Sequence, residues 1–106
     1  DDHSKNFSFL LGRESRWRLA PAYDLTYSYQ PNNYWLKEHN LLINDKSKGF
    51  NRDDLLSIAR TFYIKRATNY IDEILAVCGD FASYAKLAKV SKVNTKVICE
   101  NILRRL

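Results

Sequence analysis

Methionine is absent from the 106 residues, and several other residue types are scarce. Without a methionine, the chain is expected to be part of a longer product or to have lost its start. Only two cysteines occur, Cys78 and Cys99. Neither is spaced with another cysteine or a histidine as a metal site requires, so they read as ordinary buried thiols of a reducing cytosol. The three glycines, Gly12, Gly49 and Gly79, stand singly, which excludes a glycine-rich phosphate loop. No apolar run approaches the roughly 20 residues of a membrane-spanning helix, and no segment resembles a signal peptide. The expected setting is cytoplasmic, with no membrane partner. Repeats and low-complexity stretches are missing as well. What is present, 45% apolar residues in a short chain, is enough for one core and one domain.

The first quarter of the chain reads as a β-hairpin. Phe7, Phe9 and Leu11 alternate with Ser8 and Leu10, and Trp17 and Leu19 alternate with Arg16 and Arg18. Between them lies the turn-like stretch Gly12 to Ser15. Period-two alternation on both sides of a short polar turn predicts two antiparallel strands. Paired strands lie about 4.8 Å apart, so Asn6, before the first strand, should face Asp24, after the second. An amide oxygen and a carboxylate at that separation can share a Mg²⁺, which takes oxygen ligands and leaves sites for water and phosphate.

Asp1 and Asn6 also form a D-x-x-x-x-N spacing, the second half of the kinase catalytic-loop pattern H-R-D-x-x-x-x-N. In that pattern the aspartate accepts the substrate hydroxyl proton and the asparagine binds metal. Asp24 would be the second metal carboxylate. Each residue taken singly has a plainer reading: Asn6 can cap the strand start and Asp24 a turn. A hydrolase using Asp1 and Asp24 as a carboxylate pair leaves Asn6 unexplained.

The run Asp1-Asp2-His3-Ser4-Lys5-Asn6-Phe7, followed by Pro21-Ala22-Tyr23-Asp24-Leu25, resembles the C-terminal part of HipA-like toxin kinases. Those proteins carry N-x-D-D/G-H-x-K-N-F and then P-x-Y-D followed by an aliphatic residue. His39-Asn40-Leu41-Leu42-Ile43-Asn44-Asp45-Lys46 is similar to the family's H-x-L-x-I-N-G-K segment. Asp45 stands where the family usually has glycine, and a different turn is expected there.

The resemblance implies an α+β, mainly α fold: the C-terminal lobe of a protein-kinase-like fold, a β-hairpin followed by a helical bundle. It divides the single domain 1–106 into a catalytic loop, hairpin and metal-aspartate segment, 1–36, and a helical subdomain, 37–106. It further implies a serine/threonine protein kinase that uses ATP and Mg²⁺. Asp1 and Lys5 would be catalytic, Lys5 by neutralising the transferred phosphoryl group. His3, Asn6 and Asp24 would lie at the cofactor, with Asn6 and Asp24 on the metal. Implied partners are a protein substrate, a missing N-terminal kinase lobe, a HipB-like DNA-binding antitoxin and, through that complex, operator DNA. Without a glycine-rich loop or a V-A-I-K-type lysine, the fragment alone is expected to be inactive. No chemistry is assigned to Asp2, and His39 is expected to fix its loop by hydrogen bonding.

Charge is unevenly placed. Residues 1–59 carry eight Lys/Arg and eight Asp/Glu, whereas 60–106 carry nine and four, which accounts for the net +5. Lys86, Lys89, Lys92 and Lys96 read first as a solvated helix face. The alternative is an idle interaction module that docks an antitoxin or DNA through this basic half. Between hairpin and helices, Tyr27 to Trp35 form an aromatic loop, read either as a peptide-substrate platform or as a cover over the core.

The helices are expected as follows. Asn51 caps the first, with Asp54 completing a capping box and Phe50 and Leu55 spaced as a staple. Leu55, Ala59 and Phe62 would form its buried stripe. The second runs from about Lys65 to Cys78, burying Ala67, Ile71, Ile74, Leu75 and Cys78. Phe81 to Ala88 continues it or follows a break at Gly79-Asp80. Asn94 caps the last helix, with Val93 and Ile98 as its staple and Ile98, Ile102 and Leu106 facing inward.

Overall fold

A computed structural model describes residues 2–103; Asp1 and Leu106, both assigned roles above, lie outside the described residues. The fold is a small α+β arrangement, mainly helical, with two antiparallel strands and four α-helices. It divides into two compact units, Asp1–Leu42 and Ile43–Leu106.

In the first unit, β1 (Phe9–Leu11) pairs with β2 (Trp17–Leu19) in the register Phe9 to Leu19, Leu10 to Arg18 and Leu11 to Trp17. The hairpin closes as the alternation predicts. Gly12 N–H donates to Arg16 O and Ser15 N–H to Gly12 O, each at 3.0 Å, with Ser15 at φ 55°. Side chains alternate across a strand, so Phe9, Leu11, Trp17 and Leu19 share one face. All four are more than half exposed. The aromatic loop forms a turn around Asn33, whose side chain accepts from Trp35 N–H at 2.9 Å. Tyr34 and Trp35 meet edge to face with ring centres 5.0 Å apart. Both are over 70% exposed, so they do not cover a core.

The second unit opens on a tight turn in which Ile43 and Lys46 exchange both backbone hydrogen bonds. Asn44 and Asp45 have φ 51° and 62°. Two positive φ values at the centre of such a turn are what a type I′ turn demands. The expected change of turn at Asp45 is therefore corrected: aspartate tolerates the left-handed conformation and takes the one glycine would favour.

Four helices follow: α1 (Arg52–Thr61), α2 (Ala67–Gly79), α3 (Phe81–Leu87) and α4 (Lys92–Leu103). Asn51 caps α1 as expected, its Oδ1 accepting from Asp53 and Asp54 N–H at 3.0 and 3.2 Å. Asp54 returns the bond to Asn51 N–H at 2.8 Å, which completes the capping box. Helix α1 packs on α2, α2 on α3 and α4, and α3 on α4. Ala59 and Ala85 are the buried apolar side chains of the described residues, and the larger apolar residues facing the neighbouring helices, Ile71 and Leu75 among them, are half-buried.

Several packing expectations are corrected. Phe62 is 70% exposed because α1 ends at Thr61 and Phe62 is its C-cap. Tyr63, at φ 55°, then turns the chain away, and Ile64 N–H donates to Ala59 O at 2.8 Å. This closure keeps residues 62–66 out of helix, so α2 starts at Ala67 rather than Lys65. Ile74 is 60% exposed. It belongs to the row Tyr70, Ile74, Val77, while the row Ala67, Ile71, Leu75, Cys78 is half-buried. Cys78 and Cys99 are likewise half-buried rather than buried. The break at Gly79-Asp80 is real: Asp80 ends α2 and begins α3, and accepts from Ser83 Oγ at 2.6 Å.

Asn94 is not the last cap. Helix α4 starts at Lys92, three residues earlier than a cap at Asn94 would place it, and Ser91 Oγ accepts from Asn94 N–H at 3.2 Å. Val93 therefore lies inside α4 and is 72% exposed. Lys86, Lys89, Lys92 and Lys96 are exposed, but they spread over α3, the turn after it and α4 rather than along one helix face.

Candidate functional site

The strand pairing dictates the site. Beyond β1 and β2 the ladder continues for one bond, Ala20 N–H to Ser8 O at 2.8 Å. Continued further, the same register sets residues 4–6 opposite 22–24. Residues Ser4–Asn6 form a short 3₁₀ turn that His3 precedes, and Asn6 N–H donates to His3 O at 3.0 Å. Across from this turn, Tyr23 Oη donates to Lys5 O at 2.7 Å, and Asn6 Nδ2 donates to Asp24 Oδ2 at 2.9 Å. The two expected metal residues thus touch.

Asp24 sits at φ 56°. Left-handed backbone at a residue other than glycine is uncommon, and such outliers point toward function when a chemical group is held by them. Asn6 uses its other end locally, Oδ1 accepting from His3 N–H at 3.2 Å. Both amide ends of Asn6 are therefore fixed, and the Asp24 carboxylate is held by Asn6 while remaining exposed.

The side-chain types, one carboxylate and one amide, are those expected of a Mg²⁺ site, but their orientation is not that of two ligands on one ion. Asp24 offers an exposed carboxylate, a hard ligand that leaves most coordination positions for water and phosphate. Asn6 turns Nδ2 rather than Oδ1 toward it, so its amide would have to rotate to give an oxygen to the same ion. Among the described residues no three His, Cys, Asp or Glu side chains cluster as a metal cage. Lys5 is exposed on the same turn as Asn6, and His3 is half-buried at its start.

The sequence did not point to two contributors to this site, nor to a further contact within the second unit. Asp2, given no chemistry, accepts from Asn40 N–H at 2.9 Å and lies 3.1 Å from His39 Nδ1. It ties residues 39–40 to the start of the site. Partial burial pushes the Asp2 carboxyl up, but the Asn40 N–H, the His39 hydrogen bond and the His39 charge outweigh it, and the net shift is downward. His39 fixes its loop, as expected. Tyr23 is the second contributor; its place beside Asp24 at the hairpin's end was the available signal. The contact within the second unit is that of Lys46 with Asp54. Lys46 Nζ lies 2.8 Å from both Asp54 oxygens, and Asn44 Nδ2 donates to Asp54 Oδ1 at 2.9 Å. The Lys46 ammonium, with Asn44 and Asn51 N–H, draws the Asp54 carboxyl from 3.8 to about 2.

The sequence profile of the HipA-like C-terminal domain matches residues 1–98. The chain belongs to the HipA-like C-terminal domain family. No curated protein and no solved structure gives a significant match. The HipA-like match spans the touching Asn6 and Asp24, the Asp2–His39 tie and all but the last residues of the helical unit. No helix among the described residues is long and apolar enough to cross a membrane.

Proposed function

We propose that this HipA-like domain supplies the base and the metal ligands of a protein serine/threonine kinase. The observation that carries the reading is the Asn6–Asp24 contact, at the end of a D-x-x-x-x-N spacing. Family membership supports it.

In this reading Asp1 orients the serine or threonine hydroxyl of a protein substrate and takes its proton. The freed oxygen bonds to the γ-phosphorus of ATP, the bond from that phosphorus to the β–γ bridging oxygen breaks, and ADP leaves. Lys5 stands on the turn where it offsets charge on the transferred group. His3 holds the start of that turn beside the cofactor. Asn6 and Asp24 would hold Mg²⁺, which when bound draws negative charge from the phosphate oxygens. The glycine-rich loop and nucleotide-contacting lysine of kinases are not among these residues, and this reading calls on a further lobe to provide the nucleotide cradle.

The deciding experiment is transfer of labelled γ-phosphate by the full-length protein containing this sequence, with and without Asp24→Asn. Loss of about 10²-fold or more in the variant, the scale for losing one transition-state electrostatic contact, supports the reading. Equal transfer by both proteins overturns it. Family membership also favours the toxin half of a toxin–antitoxin pair, with a HipB-like antitoxin as partner. Failure of the full-length protein to co-purify with a HipB-like DNA-binding protein from its own source would count against that pairing.

A further inference from the structure

The helical unit holds a groove unrelated to Asn6 and Asp24. Leu56, Ala59 and Arg60 from α1, Tyr63, Ile64 and Lys65 from the connection, and Ala67 and Thr68 from α2 line a space of about 430 Å³. That volume falls within the roughly 300–1,000 Å³ typical of ligand pockets. The floor is apolar: Ala59 is buried, and Leu56 and Ala67 are half-buried. The rim is basic. From Leu55 to Ile71 the sequence contains Arg60, Lys65 and Arg66 and no carboxylate, and the lining itself contains none.

The backbone at the rim is unusual. Tyr63 closes α1 at φ 55°, where glycine is the usual choice, and its side chain is 88% exposed. A tyrosine in left-handed backbone costs stability relative to glycine, and its exposed ring recovers little of it by burial. Tyrosine with neighbouring arginine is also the composition of binding hot spots.

We propose that this groove binds an acidic peptide segment carrying an apolar anchor residue. The anchor lies on Leu56, Ala59, Ile64 and Ala67, and flanking carboxylates meet Arg60 and Lys65. Charge complementarity chooses the partner's sign, and the apolar floor chooses a peptide over a nucleic-acid backbone, which offers no apolar side chain to fill it.

The test is fluorescence anisotropy with the intact chain and a labelled peptide in which leucine and phenylalanine lie between pairs of glutamates. Saturable binding is expected, weakened about tenfold or more by Arg60→Gln with Lys65→Gln, since contacts to charged groups are among the stronger hydrogen bonds. Thr68→Trp, an exposed position that would fill the groove, should weaken it similarly while circular dichroism stays unchanged. A peptide with serines replacing leucine and phenylalanine should bind at least about tenfold more weakly. Equal binding of the serine peptide overturns the proposal, because charge alone would then account for the attraction. Binding that Thr68→Trp leaves untouched, stronger binding of a single-stranded oligonucleotide, or groove-dependent self-association in place of peptide binding overturns it too.

Discussion

Lys46 grips both oxygens of Asp54, its Nζ 2.8 Å from each, and joins a tight turn to the first turn of α1. Asp54 is only 5% exposed, and it serves three donors at once: Lys46, Asn44 and the Asn51 N–H. The capping box alone explains one of these bonds.

Acid should loosen this joint. The Asp54 carboxyl titrates at about 2 when folded, against an ordinary 3.8. A carboxyl lowered by folding contributes stability that is full above its unfolded value and is lost as pH falls through the folded one. Melting temperature should therefore drop as pH falls from about 4 to about 2, with Asp2, also shifted down, adding to the loss. Lys46→Met should lower the melting temperature at pH 7 and flatten that acid dependence. Thermal melts of both proteins across this range check the sign.

Asp45→Gly should stabilise the protein by up to about 1 kcal/mol, because the site already has φ 62°. Glycine's greater freedom in the unfolded chain offsets part of the gain. Urea titration should show a higher midpoint for the variant, and a lower one would contradict the turn geometry.

The cap of α4 separates two residues that sequence alone does not. Ser91→Ala should cost about 1 kcal/mol, the usual value of an N-cap, because Ser91 Oγ receives the Asn94 N–H. Asn94→Ala should be near neutral or slightly favourable, as alanine is the better residue inside a helix. Equal losses from both would put the helix start at Asn94 instead.

At the candidate site, Asn6→Ala and Asp24→Asn should abolish phosphate transfer by the full-length protein while changing its melting temperature by only a few degrees. Tyr23→Phe removes the bond from Tyr23 Oη to Lys5 O. It should cost about 1 kcal/mol of stability and reduce transfer far less than Asp24→Asn. Comparable losses of activity in the two variants would mean that positioning of the turn, rather than the carboxylate, governs the chemistry.

The hairpin was legible because its alternation and turn residues agree, and its open end then brought the segment of Asn6 near that of Asp24. The Asn51 cap was legible for a similar reason: an acceptor and its return carboxylate stand three residues apart. The start of α4 was not, since Ser91 and Asn94 are both good caps and local chemistry does not choose between them. The Asp2–His39 pair spans 37 residues, and no local pattern announces such a partner. Helical spacing showed Ile74 and Phe62 to be apolar near a stripe, but spacing does not say which of two adjacent rows another helix covers.

Ala59 and Ala85 are the buried apolar side chains of the described residues, while the hairpin and α2 leave large apolar side chains in water. Unfolding such a chain hydrates little new apolar surface. Its heat-capacity increment should therefore fall below the roughly 1.2–1.5 kcal/mol/K usual for 100 residues, giving a broad calorimetric transition and a stability that changes only gently with temperature.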